Sequence, residues 1–190
     1  MNRIFLALSI TLLSAAAPAW AQQQTIAEKA QVCATCHGEK GIPVDKAYPI
    51  IWGQHQGYVY LQLRDFKSAA RKNEFMEAVV ADLTRDDMMA LAEYFSKKPW
   101  PDLRQKTASD ADAAVANRVN VSIGCTGCHL GQYQGDATVP RLAGQAHDYL
   151  LKEMKDFRAR TRGNNPGMTD LMKATPEADF APEANYLAGH

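Results

Sequence analysis

Cys33-Ala34-Thr35-Cys36-His37 recurs as Cys125-Thr126-Gly127-Cys128-His129, and these two C-x-x-C-H stretches hold all four cysteines of the 190-residue chain. The spacing is that of covalent c-type haem attachment. Two thiols add to the two vinyl groups of the haem, and the next residue presents an imidazole to the iron. One short helical turn makes all three bonds. A zinc site draws Cys and His at other spacings, and a redox dithiol of the thioredoxin kind needs neither the duplicate nor the histidine. Cys33, Cys36, Cys125 and Cys128 are thus the candidate thioether residues, and His37 and His129 the candidate iron ligands, of two haem c groups.

Working outward, the motifs open an internal repeat. Cys33 and Cys125 lie 92 residues apart, as do Met76 and Met168, and Tyr94 and Tyr186. Between these anchors the register slips to 91: Pro49-Ile50-Ile51-Trp52-Gly53-Gln54 matches Pro140-Arg141-Leu142-Ala143-Gly144-Gln145, Asp65-Phe66 matches Asp156-Phe157, and Arg71 and Asn73 match Arg162 and Asn164. One residue lost before the proline and one gained before the methionine account for the slip. The expected organisation is a signal peptide over 1–21, lobes over 22–98 and 108–190, and a linker over 99–107, where Pro99 and Pro101 exclude a helix interior.

Each lobe reads as helical. Tyr58, Leu61, Phe66 and Ala69 recur at three- to five-residue steps over Gly57 to Arg71, and Tyr149, Leu150, Met154 and Phe157 do likewise in the copy. Thr84 is placed to cap a helix with acidic residues in its first turn and Leu91, Tyr94 and Phe95 on its apolar side. Helices over Thr25 to Val32 and Ser109 to Val121 precede the two motifs. No alternating strand pattern of useful length is visible. The expected fold is all-α: two tandem cytochrome c-like helical lobes, each built around one covalent haem. Lobes of this size bury little apolar surface unaided, so haem attachment and folding are expected to be coupled.

Met76 follows His37 by 39 residues, and Met168 follows His129 by the same 39. A thioether is a neutral, soft ligand that favours ferrous iron and raises the potential, as suits an electron carrier. The alternative is core filling. Matched spacing favours Met76 and Met168 as axial ligands, with Met172 the rival to Met168; Met88, Met89 and Met154 read as packing or surface residues. Pro49 and Pro140 are either turn prolines or carbonyl acceptors for the ligand imidazoles. His55 and His147 occupy non-equivalent positions and read as surface or supporting residues. Arg71 and Arg162 are either partners of haem propionates or exposed helix-end arginines.

The chain has 21 basic and 21 acidic residues, 46% apolar content and no basic run longer than two residues, which argues against nucleic acid as a partner. Met1-Asn2-Arg3, the apolar stretch Ile4 to Ala17 and Ala19-Trp20-Ala21 form a secretory signal pattern with cleavage after Ala21. That stretch is short of the roughly twenty residues of a spanning helix, so export to the periplasm is expected.

These features resemble the diheme class I cytochromes c of the cytochrome c4 family over essentially the whole mature sequence. The likeness rests on the two haem motifs, the P-x-x-x-G-Q segments, the Phe and Arg around the following helix, the methionines, and Leu91-Ala92-x-Tyr94. It implies His37 and Met76 on one iron and His129 and Met168 on the other, with Pro49 and Pro140 backing the histidines. It further implies a periplasmic electron carrier between a quinol-oxidising membrane complex and a terminal oxidase or other acceptor. The alternative is an electron-transfer subunit of a periplasmic dehydrogenase, such as a sulfide-oxidising flavoprotein. A haem enzyme needs an open iron position or a thiolate ligand, and every cysteine is already used. Two departures stand out: Leu130 follows the second motif where Gly38 follows the first, and Pro182 is expected to kink or shorten the last helix.

Overall fold

Thr25 accepts a hydrogen bond from the Glu28 N–H while the Glu28 carboxylate accepts one from the Thr25 N–H. This reciprocal cap starts α1 (Ile26–His37). The structure, a computed structural model, describes residues 24–190; the expected signal segment over 1–21 lies outside them. The first lobe continues with α2 (Gln56–Lys67), α3 (Glu74–Val80) and α4 (Arg85–Ser96). Thr84 caps α4 in a second reciprocal pair with Asp87, as its sequence position predicts. The second lobe has α5 (Asp110–Ile123), α6 (Cys125–His129), α7 (His147–Ala159), α8 (Pro166–Ala174), a 3-10 turn at Glu177–Asp179 and α9 (Phe180–Ala188). The fold is all-α, and among the described residues β-pairing is limited to isolated bridges, including Arg71 with Arg162.

Helix packing runs within each lobe: α2 and α1 on α4 in the first, α5 and α7 on α9 and α7 on α8 in the second. Two separate apolar cores result. One gathers Val59, Leu63, Phe66, Val80, Leu91 and Phe95. The other gathers Leu150, Met154, Phe157, Met172, Phe180 and Leu187.

Two helices differ from their sequence expectation. The helix expected to reach Arg71 stops at Lys67, because Ala69 turns the chain at φ 57°. The other is α1, which runs on past Val32 through the first motif to His37, whereas in the second lobe Gly124, at φ 71° and ψ 39°, ends α5 close to the expected Val121 and leaves the second motif as a separate turn. Asn120 bridges the break, its side-chain oxygen accepting from the Thr126 N–H at 2.9 Å and hydroxyl at 3.0 Å. Pro182 does shorten the last helix, to 9 residues in α9 against 12 in α4. It introduces no kink of the interior kind, since it sits in the first turn, where an N–H has no intrahelical acceptor to lose.

The lobes meet about an approximate half-turn. Gln54 Nε2 donates to Arg141 O (3.0 Å) and Gln54 Oε1 accepts from Arg141 N (2.9 Å). Gln145 does the same to Ile50, at 3.0 and 2.7 Å. Gln54 matches Gln145 in the repeat and Ile50 matches Arg141, so each bond has its counterpart. The linker is strapped to this contact: the Gln105 amide donates to Gln145 O and Ala188 O and accepts from His147 N. Trp100 lies against both matched glycines. A Cβ on Gly53 (φ 67°) would stand 2.9 Å from Trp100 N, and one on Gly144 (φ 72°) 3.1 Å from its Nε1.

Candidate functional site

Each motif ends at a buried histidine with one ring nitrogen already engaged. His37 Nδ1 lies 2.8 Å from Pro49 O, and His129 Nδ1 lies 2.9 Å from Pro140 O. A carbonyl only accepts, so Nδ1 carries the proton and Nε2 keeps its lone pair. Burial pushes both imidazole pKa values down, against a smaller upward pull from the proline carbonyls. Both rings are therefore neutral donors at neutral pH. The choice left open for Pro49 and Pro140 resolves in favour of the carbonyl acceptor.

Cys33 and Cys125 are half-buried beside their lobes' cores. Burial, foremost, pushes each thiol up to about 11. A dithiol working as a redox nucleophile needs the opposite shift. Cys36 and Cys128 follow at i+3, on the same side of the helical turn.

The methionines carry the same local device. Asn73 caps α3 by accepting from Met76 N at 3.0 Å, and Asn165 caps α8 by accepting from Met168 N at 3.1 Å. Both side chains are half-buried against their lobe's core, whereas Met172 is a core residue at 5% exposure. The repeat partner of Asn73 is thus Asn165, and the inserted residue is Asn164, which the sequence match had paired with Asn73. Asn164 reaches across the lobes to Asp65 (2.8 Å) and Gln62 (3.1 Å).

Arg71 and Arg162 are buried, at 9% and 7% exposure, so the exposed helix-end alternative is excluded. They form a crossed network. Arg71 donates to Tyr149 OH and Arg162 to Tyr58 OH, each at 3.2 Å. Arg71 also donates to Gln62 Oε1 at 2.9 Å and Arg162 to Glu153 Oε2 at 2.6 Å, positions that match in the repeat. Glu153 Oε1 lies 3.0 Å from Arg71 as well. Burial works to raise the Glu153 pKa, but the two guanidiniums outweigh it and hold the carboxyl below its ordinary value. This network and the glutamine pairs escaped the sequence reading; the matched Gln54 and Gln145 were the available signal. His55 Nε2 lies 2.8 Å from Gln134 O, and His147 Nδ1 pairs with Asp148, consistent with supporting roles.

The donor set fits haem. Among the described residues no group of three or more His, Cys, Asp or Glu could hold a metal by itself. One imidazole and one thioether per lobe suit an iron whose other four donors belong to a porphyrin. No helix among the described residues is long and apolar enough to cross a membrane.

Fold and site together define a two-lobed, all-helical protein of the c-type cytochrome class, with one attachment motif per lobe. No family model matches the chain. It is 33% identical over 191 residues to cytochrome c4 of Thiocapsa roseopersicina, covering 92% of this chain and 96% of that protein. It is 32% identical to the thiosulfate dehydrogenase electron acceptor of Stutzerimonas stutzeri strain A1501, covering 84% and 79%. The solved cytochrome c4 of Acidithiobacillus ferrooxidans superposes with a TM-score of 0.76 at 28% identity, over 85% of this chain and 99% of that one. The chain belongs to the cytochrome c4 family of diheme electron carriers. It transfers electrons between respiratory redox partners in the periplasm.

Proposed function

We propose that Cys33 and Cys36 hold one haem c and Cys125 and Cys128 a second, with His37 and Met76 as axial ligands in the first lobe and His129 and Met168 in the second. The haem supplies a one-electron iron couple when bound. The duplicated geometry of a neutral histidine backed by a proline carbonyl, matched by a methionine on an asparagine-capped helix, carries the proposal. Pro49 and Pro140 fix the imidazole tautomer and keep Nε2 a good donor. The thioether of each methionine favours the reduced iron. With both axial positions taken by side chains, the protein's work is to set potentials and to present each haem to its partners. Near-zero net charge disfavours long-range steering, so docking rests on local surface and depends only modestly on salt.

The donor we propose is a membrane quinol-oxidising complex and the acceptor a terminal oxidase. A second reading, a periplasmic dehydrogenase as donor, has the likeness to the thiosulfate dehydrogenase electron acceptor in its favour. Mass spectrometry of the exported protein should show two haem additions and an N-terminus at Gln22. Met76→Ala and Met168→Ala should each abolish the near-infrared sulfur-to-iron band of one haem and lower that haem's potential. Retention of the band in Met168→Ala but not in Met172→Ala would move the assignment to Met172. Rapid reduction by quinol-supplied membranes favours the first donor; reduction only by a periplasmic dehydrogenase favours the second. Rapid stoichiometric binding of carbon monoxide at either haem would defeat the ligand assignment.

A further inference from the structure

The inward face of α9 carries one residue out of keeping with its neighbours. Phe180, Ala184 and Leu187 are buried there, and Glu183, on the same face, is 4% exposed with no hydrogen-bond partner for Oε2. The repeat places Leu91 at the matching position in the first lobe, 1% exposed within its core. A carboxyl has replaced a core leucine in one lobe alone. An orphaned buried carboxylate oxygen forfeits its hydration without a hydrogen bond in return, which packing alone does not explain.

The groups around Glu183 decide its chemistry. Asp179, in the 3-10 turn, adds a like charge; Arg118 of α5 holds it ionised through two bonds of 2.9 and 3.0 Å. Cys125 of α6 and Tyr133 beyond it both feel the Glu183 charge. Asp112 of α5 is engaged by Asn185, and His190 stacks against Tyr133 and Tyr186. From α7 come Leu150, Met154 and Phe157, while its Glu153 is held by the two interlobe arginines. Among the described residues no cation pairs with Glu183. Burial first, and then the charge of Asp179, push its carboxyl up to about 7.

We propose that Glu183 is a proton-binding site linked to the electron on the second-lobe haem, protonated when that haem is reduced and ionised when it is oxidised. The inference rests on attachment of that haem at Cys125. One electron comes from the donor protein and one proton from the buffer; the carboxylate becomes a carboxylic acid, and both leave on oxidation. The physical cause is proximity in a poorly solvated interior. Added negative charge beside Cys125 makes the ionised carboxylate costlier, and by linkage a protonated Glu183 favours the reduced haem. The first lobe, with Leu91 in that position, has no such group.

The test is a potentiometric titration of the intact diheme protein between about pH 5 and pH 9, with the two haems resolved by their methyl proton resonances. The second-lobe potential should fall as pH rises through neutrality, while the first-lobe potential stays level. Glu183→Gln should flatten the dependence near the acid-limit value. Should that variant fold poorly, the reduced-minus-oxidised infrared spectrum of the unaltered protein should gain a deuterium-sensitive protonated-carboxyl band. A dependence that persists in Glu183→Gln, one shared equally by both haems, or no carboxyl band would overturn the proposal. A pyridine haemochrome assay first counts the haems. A missing second haem would overturn the attachment reading and the inference with it, while two haems without linkage would overturn the inference alone.

Discussion

Leu130 sits at φ 64° and ψ 167°, a region that is nearly the preserve of glycine. Its counterpart Gly38, at φ 83°, has no choice: a Cβ there would stand 1.8 Å from Ile42 O. The strain at Leu130 is uncompensated by deep burial, since the residue is 37% exposed. Leu130→Gly should therefore raise the stability of the diheme protein by about 1 kcal/mol, read as a shift in the denaturant midpoint at unchanged slope. At this scale the sequence was legible wherever chemistry demands a residue type at a fixed interval. The cysteines, the histidines directly after them and the equally spaced methionines are of that kind. It was opaque where two identical residues stand side by side. Asn164 and Asn165 cannot be told apart by identity; only the reach of Asn165 to the Met168 N–H shows which one is the cap.

Among the elements, α1 and α4 are joined by Lys29 Nζ to Asp87 Oδ1 at 2.6 Å, with Asp87 also closing the cap at Thr84. The hydrogen bond from Lys29, and then those from Thr84, hold the Asp87 carboxyl down at about 2. A folded pKa below the unfolded value, about 4, stabilises the folded state above that unfolded value. The contribution is lost as pH falls from about 4 toward 2. Acid titration followed by helical circular dichroism should show Asp87→Asn less stable than the unaltered protein at neutral pH, with the gap closing as pH falls toward 2. The capping residue Thr84 and the apolar faces of α2 and α7 were readable because local chemistry sets them. The run of α1 past Val32 through the first motif was not. That the second lobe does not share it follows from the αL conformation of Gly124 and from the bonds of Asn120 across the break, and neither leaves a periodicity in the sequence.

For the whole molecule, the repeat announced two lobes but not how they meet. Their contact uses backbone groups of Ile50 and Arg141, which any residue except proline would provide, so only the recurrence of Gln54 and Gln145 hinted at it. The near-symmetry is broken by charge, with Gln62 on one side and Glu153 on the other of the two arginines. A surface that is its own complement under a half-turn is what separate copies of one subunit need in order to pair, and a covalent tether then adds only effective concentration. Joining lobes that already recognise one another requires no new contact, so the pairing has the geometry of a homodimer held inside one polypeptide. A protease site inserted at the exposed Asp102 puts this to measurement. The nicked diheme protein should still elute as one particle at micromolar concentration, and Gln54→Ala with Gln145→Ala should release the halves. Immediate separation on nicking alone would mean that the bond through the linker, rather than the affinity of one lobe for the other, holds the two halves together.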